Sequence, residues 1–215
     1  MVSNRQLSKE SVKRMISKAI IDKELLPGSR IVETKIAREL NISQAPVREA
    51  LRDLEYLGIV ESVPYRGSFV RGITHDDMYN SYKLRLVFEH MAIDEGFSEV
   101  TPEMIETIEY YLSEMGRTAA EDAFEEYIEY DAMFHKAILN LSKNNMLNRV
   151  WDFCDFRDLV RLGTVLSGET LTTLAGRHKA LGDALKSGDK ELAVKESNKH
   201  WQLLMDMIDD GLANY

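Results

Sequence analysis

The sequence predicts a mainly α protein in two parts: a winged helix-turn-helix over residues 1–72, then an all-helical bundle of about six helices over 73–215. Three observations predict it. Between Glu33 and Leu57 two helical periodicities are separated only by Asn41-Ile42-Ser43, too short for anything but a turn. Directly afterwards, residues 59–63 and 68–70 read as short strands around the turn Pro64-Tyr65-Arg66-Gly67. From Thr74 onward, helical spacing alternates with short breakers and no strand pattern recurs.

Taken in order, Ser8 or Ser11 can cap a first helix running to about residue 23, with Val12, Met15, Ile16, Ala19 and Ile20 inward. Lys9, Lys13 and Lys18 fall on its wetter sides, within reach of phosphate. Leu26-Pro27-Gly28 breaks the helix, and Arg30-Ile31-Val32 is a short extended piece. A second helix over 33–40 turns Ile36, Ala37 and Leu40 inward. In the third, Ser43 can accept from the free N–H groups of the first turn, where the missing N–H of Pro46 costs little. Val47, Ala50, Leu51, Leu54 and Leu57 form its buried face, and Gly58 ends it. Gln44, Arg48 and Arg52, spaced i, i+4, i+8, form a stripe about 125° away from that face. A capped helix with one buried edge and one basic edge suits the major groove of DNA. Arg66 and Gly67 at the hairpin tip can approach a phosphate backbone or enter a minor groove. Any one of these features also fits a small helical domain with a solvated charged face; their combination favours a DNA reader.

The second part begins at Thr74, which with Asp77 three residues on makes a capping-box variant. Helices are expected over 75–97, 101–117, 122–141, 146–166, 170–186 and 190–211. The breakers are Thr101-Pro102, Ser142-Lys143-Asn144-Asn145, Ser167-Gly168 and Ser187-Gly188-Asp189. Six such helices in about 140 residues make a bundle.

Composition narrows the function classes. The net charge of −9 looks wrong for a DNA binder until it is divided. Residues 1–74 carry 13 Lys and Arg against 9 Asp and Glu, a net of +4; residues 75–215 carry 14 against 27, a net of −13. Positive charge sits where phosphate contacts are expected. The single Cys154 permits no intramolecular disulfide, which fits a reducing cytosol. Around Arg5, Lys9 and Glu10 there is no apolar stretch of the kind a signal peptide needs, and no apolar run reaches the roughly 18 residues of a membrane span. A cytoplasmic protein with no membrane partner is the expectation.

One constellation carries chemistry. Asp131 and His135 stand four apart on one helix and share a face, and their neighbours Phe134 and Ile138 turn that side inward. His178 and His200 lie on the next-to-last and last helices. One carboxylate and three imidazoles from three helices suit a divalent metal in a bundle core. On spacing alone, hydrogen-bonded core histidines remain the alternative. His75 and His90 stand outside this pattern, as surface or structural residues. Arg85 and Glu89 are also four apart; they read either as an intrahelical ion pair or as Arg85 turned inward to grip a carboxylate. Arg157 and Arg161 are weaker candidates for that grip.

Two sets of motifs resemble known families. Leu26-Pro27-Gly28-Ser29-Arg30-Ile31, Ile36-Ala37-Arg38-Glu39-Leu40, Ser43-Gln44-Ala45-Pro46-Val47-Arg48-Glu49-Ala50-Leu51 and Arg66-Gly67-Ser68-Phe69-Val70 look like the winged-helix domain of GntR-type transcription regulators. Asp131-Ala132-Met133-Phe134-His135, Asn144-Asn145, Arg177-His178-Lys179-Ala180-Leu181, Ser187-Gly188-Asp189 and the late His200 look like the FadR C-terminal (FCD) ligand domain. The resemblance implies DNA contacts from Lys35, Gln44, Arg48, Arg52, Arg66 and Gly67. It also implies a metal, Zn or Ni, on Asp131, His135, His178 and His200, beside an effector pocket. Two positions depart from the pattern: Gln44 and Lys35 stand where many relatives have Arg. Gln reads adenine more readily than guanine, and Lys contacts phosphate as a point charge, so the operator sequence does not carry over.

The expected function is a homodimeric, sequence-specific repressor that binds a short palindromic operator in double-stranded DNA. A small organic acid, held by Arg85 beside the metal, would control it. Two other classes remain: a sensor in which the ion itself is the signal, and a metal-dependent hydrolase, for which no separate general acid or base stands out.

Overall fold

A computed structural model describes residues 9–72, 74–154 and 156–212. The chain divides after Thr74 into two compact units.

In the first unit, helix α1 (Lys9–Ile21) leads to strand β1 (Arg30–Ile31), helices α2 (Glu33–Glu39) and α3 (Gln44–Tyr56), and strands β2 (Val60–Val63) and β3 (Gly67–Val70). The extended piece at Arg30 is therefore a strand. The sheet is antiparallel in the order β1-β3-β2, with Arg30 opposite Phe69 and Val60 opposite Val70. The wing is thus a three-stranded ribbon rather than a bare hairpin, because β3 pairs on both edges. One core joins α1, α3 and the sheet through Val12, Ile16, Val47, Leu51, Leu54, Ile59 and Val70. The anticipated inward face of α3 is buried, from Val47 to Leu54, with Leu57 packed partly against the core. After it Gly58 takes φ +71, the left-handed conformation a helix stop needs.

Several local expectations change. Ser43 holds the N-cap position, but its side chain makes no cap hydrogen bond. Ser11 lies inside α1 rather than ahead of it, and Ser8 falls outside the described residues. On α1, Met15 is 39% exposed while Lys13 is 5% exposed. The helix is rotated so that Val12 and Ile16 centre its inner face, which carries Lys13 in beside Ser17, also buried, and turns Met15 out. Lys9 is paired with Asp53 of α3 at 2.7 Å.

The second unit contains α4 (His75–Gly96), α5 (Pro102–Ala120), α6 (Phe124–Leu139), α7 (Asn145–Cys154), α8 (Arg157–Leu166), α9 (Leu171–Ser187) and α10 (Lys190–Leu212). Single 3₁₀ turns follow α4 (Phe97–Glu99) and α6 (Asn140–Ser142). Thr101 caps α5 by accepting from the Met104 N–H, with Pro102 in its first turn; Thr170 caps α9 in the same way, accepting from Thr173. α6 starts at Phe124 rather than 122, since Asp122 has φ +53. The expected single helix over 146–166 is two helices, which makes seven α-helices in this unit among the described residues. No proline or glycine marks the break. It lets Phe156 turn inward against Trp151 (ring centroids 5.1 Å) and Phe88 (6.5 Å), which a continuous helix would not allow all at once.

Helix α4 packs along α10, α5 lies against α6 and α9, and α9 against α10. Their common core includes Ile93, Ile108, Met115, Ile128, Phe134, Ile138, Leu174 and Leu181. Gly96 permits a close crossing: a Cβ there would sit 2.2 Å from the Leu141 backbone. Among the described residues, no helix is long and apolar enough to cross a membrane.

Candidate metal centre and DNA-reading face

On the first unit, burial of Val47, Ala50, Leu51 and Leu54 leaves the opposite side of α3 in water. Gln44, Arg48 and Arg52 are all exposed there. The Arg48 Nε–H donates to Glu33 of α2 at 3.3 Å, which ties the two helices of the motif together at the exposed face. Lys35 on α2 is exposed and stands 3.9 Å from Glu39. At the wing tip, Arg66 and Gly67 are exposed, and the Arg66 guanidinium lies 5.5 Å over the Phe69 ring. Tyr65 and Gly67 take φ +64 and +100, so the tip turns through the left-handed region and projects Tyr65 fully into solvent.

Inside the second unit, α6, α9 and α10 bring Asp131, His135, His178 and His200 together, all buried. The ring centroids of His178 and His200 are 4.5 Å apart, and each lies 5.2 Å from that of His135. One ligand atom from each histidine falls within 4.8 Å of the others.

Hydrogen bonding assigns the lone pairs. His178 Nδ1 faces the Leu174 carbonyl oxygen at 3.0 Å, and a carbonyl can only accept, so Nδ1 carries the hydrogen. Nε2 lies 3.0 Å from Asp131 Oδ1 but off the line a hydrogen bond needs, so it has no hydrogen-bond partner among the described residues. His135 Nδ1 bonds the Glu89 carboxylate, which leaves its Nε2 for the cluster, 3.9 Å from Asp131. Among the described residues, both ring nitrogens of buried His200 lack a hydrogen-bond partner. Orphaned nitrogens beside a carboxylate are the donor set that a late divalent ion takes, and a carboxylate behind one imidazole is the usual support for such a ligand. The residues fit a metal.

Electrostatics agree. Burial favours the neutral form of His135, and it pushes His200 further down, helped by His178 and His135. Burial alone would raise the Asp131 carboxyl, yet His178, His135 and Arg85 hold it well below the usual carboxylate range. A neutral His135, a neutral His200 and an ionised Asp131 are in the forms that bind a metal.

Arg85 is 2% exposed and turned inward. The intrahelical pair with Glu89 does not form. Glu89 instead accepts from Ser197 Oγ and Trp201 Nε1, both at 2.8 Å, besides bonding His135. The Arg85 guanidinium lies over the Trp201 ring, its Cζ 4.3 Å from the centroid. Among the described residues, Asp131 Oδ2 stands 3.6 Å from Arg85 Nη2, an ion pair beyond hydrogen-bond range, and Arg85 Nε has no hydrogen-bond partner. Arg161 pairs instead with Glu125, and Arg157 stands 3.5 Å from Glu129. His75 is half-buried against Asp76, whereas His90 keeps a buried Nε2.

Sequence reasoning missed Glu89, Ser197 and Trp201 as supports of the cluster. A signal existed: Tyr82, Arg85, Glu89 and Ala92 continue one buried stripe of α4, so two charges interrupt an apolar register.

The GntR family of bacterial regulatory proteins matches residues 8–70, and the FCD domain matches residues 80–203. The chain is 26% identical to the uncharacterized HTH-type transcriptional regulator YdhC of Bacillus subtilis, over 93% of this chain and 92% of that one. It is 28% identical to the probable D-xylose utilization operon transcriptional repressor of Paenarthrobacter nicotinovorans, over 80% and 76%. Among solved structures, a GntR transcriptional regulator from Rhodococcus sp. RHA1 superposes with a TM-score of 0.73 at 23% identity, covering 94% of this chain and 97% of that one. These families and relatives are transcription regulators, not enzymes. The chain belongs to the GntR family, as a transcription regulator that joins a helix-turn-helix DNA-binding domain to an FCD domain.

Proposed function

We propose that this regulator is a homodimeric repressor whose operator affinity is set by an organic acid, bound beside a divalent metal in the FCD domain. The carrying observation is the convergence of His135, His178 and His200 in a buried site, with Asp131 beside the first two and unpartnered atoms on Asp131, His178 and His200. Those four residues would hold the ion, Zn²⁺ or Ni²⁺ by donor type. The ion would supply positive charge and open coordination positions. Arg85, unpartnered at Nε in the same wall, is the group suited to the acid's carboxylate. On the DNA side, Gln44, Arg48 and Arg52 would read bases, Lys35 and Arg66 would meet phosphate, and Gly67 would let the wing approach. Repression is supported by the name of the D-xylose operon relative. One recognition helix spans only a few base pairs, and two-fold symmetry doubles the site into a palindrome. The acid changes operator affinity only by binding the dimer's two states unequally.

The test combines three measurements on the full chain: elemental analysis after gentle purification, melting temperature with and without a chelator, and sequencing of DNA fragments the protein selects. Bound metal, a melting temperature lowered by chelation and restored by Zn²⁺ or Ni²⁺, and a palindromic selected site are expected. No metal, with a melting temperature unmoved by Zn²⁺, Ni²⁺ or Mn²⁺, would leave the four residues as a polar core network. Operator affinity that follows the metal with no organic acid present would instead favour the metal-sensor reading.

A further inference from the structure

The wing reverses direction over residues 63–66. The Arg66 N–H donates to the Val63 carbonyl oxygen at 3.0 Å, which closes a turn with Pro64 second and Tyr65 third. The pyrrolidine ring of Pro64 holds its φ at about −65°, which leaves types I and II. The φ of +64 at Tyr65 makes it type II. That third position calls for glycine or asparagine, because a Cβ in the left-handed region crowds the following carbonyl. A bulky aromatic residue there is strained.

Among the described residues nothing offsets that strain. Tyr65 has a relative exposure of 108%, above every other large hydrophobic side chain described. Its side chain makes no hydrogen bond or ring contact with any described residue. A strained backbone that holds an aromatic ring out in water serves no purpose in the free chain. Strain of this kind is kept where the side chain works in a complex.

The groups around Tyr65 favour DNA as the partner. Gly67 leaves the backbone bare beside it, and a Cβ at Gly67 would stand 3.6 Å from the Arg30 guanidinium. Arg30 and Arg66 are both exposed, and neither has a carboxylate partner among the described residues. Guanidiniums beside a bare backbone suit the phosphate walls of a groove. An aromatic ring about 3.5 Å thick enters a minor groove about 6 Å wide edge-on and meets both walls, whereas a major groove about 12 Å wide would leave it unpacked.

Resting on the proposed approach of the wing to DNA, we infer that Tyr65 is itself a DNA-contacting residue, whose ring enters the minor groove and packs against the sugar edges. The left-handed turn aims the ring, and the contact offsets in the complex the strain carried by the free chain. Sugar contacts carry little base information, so Tyr65 adds affinity for any duplex rather than choice of sequence.

The test is fluorescence anisotropy of the full chain on the duplex it selects from a random pool and on a scrambled duplex, with melting temperatures measured beside it. Tyr65→Asn removes the ring and suits the turn. It should melt at least as high as the parent, yet bind both duplexes at least about tenfold more weakly, since the apolar area of the ring is no longer buried. Tyr65→Phe keeps the ring and should bind within about threefold of the parent. Hydroxyl-radical cleavage, which attacks deoxyribose from the minor groove, should show sugars that the parent protects and Tyr65→Asn uncovers. If Arg66→Ala weakens binding but Tyr65→Asn does not, this inference is overturned alone. The same holds if Tyr65→Asn melts below the parent, because the ring then supports the wing itself, or if sugar protection is unchanged. A loss with Tyr65→Phe as large as with Tyr65→Asn overturns ring packing in favour of a hydroxyl hydrogen bond. If the parent binds but neither Arg66→Ala nor Tyr65→Asn changes its affinity, the wing does not meet DNA and the underlying reading fails with it.

Discussion

Replacing Glu89 by Gln should weaken metal binding without unfolding the domain. Glu89 is fully buried and bonds His135, Ser197 and Trp201. The Gln carbonyl keeps an acceptor for Ser197 and Trp201, so packing and two of three bonds survive. The amide NH₂ then faces His135 Nδ1, and two donors cannot pair. His135 answers by moving its hydrogen to Nε2, the nitrogen that faces the cluster, and one metal lone pair is lost. Loss of such a supporting group costs about 10- to 100-fold in metal affinity. At a metal concentration 100 times the parent's dissociation constant, the parent gains about 2.7 kcal/mol and a variant weakened 100-fold gains only about 0.4 kcal/mol. That difference of about 2.3 kcal/mol corresponds to roughly 5–9 °C in melting temperature for a protein of this size. Thermal melts of both proteins across a Zn²⁺ titration give the comparison, and competition with a chelating dye gives the affinities. Glu89→Gln protein that folds, binds Zn²⁺ as tightly as the parent and gains the same melting temperature would refute the supporting role. Glu89→Ala, by contrast, strands three buried donors and should cost about 3–5 kcal/mol of stability outright.

Other outcomes follow from the same structure. Arg48→Ala should lose about 1–3 kcal/mol of operator binding with relaxed specificity at one position, measured by fluorescence anisotropy; unchanged affinity in a folded variant would remove α3 as the reading helix. Leu54→Ala, at a site with no exposure, should cost about 2–5 kcal/mol by chemical denaturation, and a smaller loss would mean that the α1–α3 core closes over the gap. His200→Ala should abolish the effect of a chelator on the melting temperature, and a chelator effect that persists would place the metal elsewhere. In sedimentation at tens of micromolar the full chain should run as a dimer; a strict monomer would leave a palindromic operator without an explanation.

Much of the molecule could be read directly from the residues. The apolar register of α3 is local: Val47, Ala50, Leu51 and Leu54 recur at 3–4 residues, and any helix there must bury them together. Thr101-Pro102, Thr170 and Gly188 punctuate helices through their own backbone chemistry, so those boundaries needed no partner. Residues 146–166 failed for the opposite reason. Their helical propensity is continuous, and the break lets Phe156 pack against Trp151 and also against Phe88, a contact far away in sequence. Lys13 and Met15 were misplaced for a similar reason, since the rotation of α1 is set by what it packs on.

By itself the sequence determined most of the order of elements and the basic stripe of α3, because residue type and helical spacing decide these; Asp131, His135, His178 and His200 were a candidate ligand set chiefly through the resemblance to the FCD domain. Only the tertiary structure decided that His178 Nε2 and Asp131 Oδ1 come within 3.0 Å, and that Arg85 passes Glu89 by and rests on Trp201. Those outcomes depend on the relative placement of α4, α6, α9 and α10. Which hydrogen-bond partners a buried group finds is a property of that packing, not of neighbours along the chain.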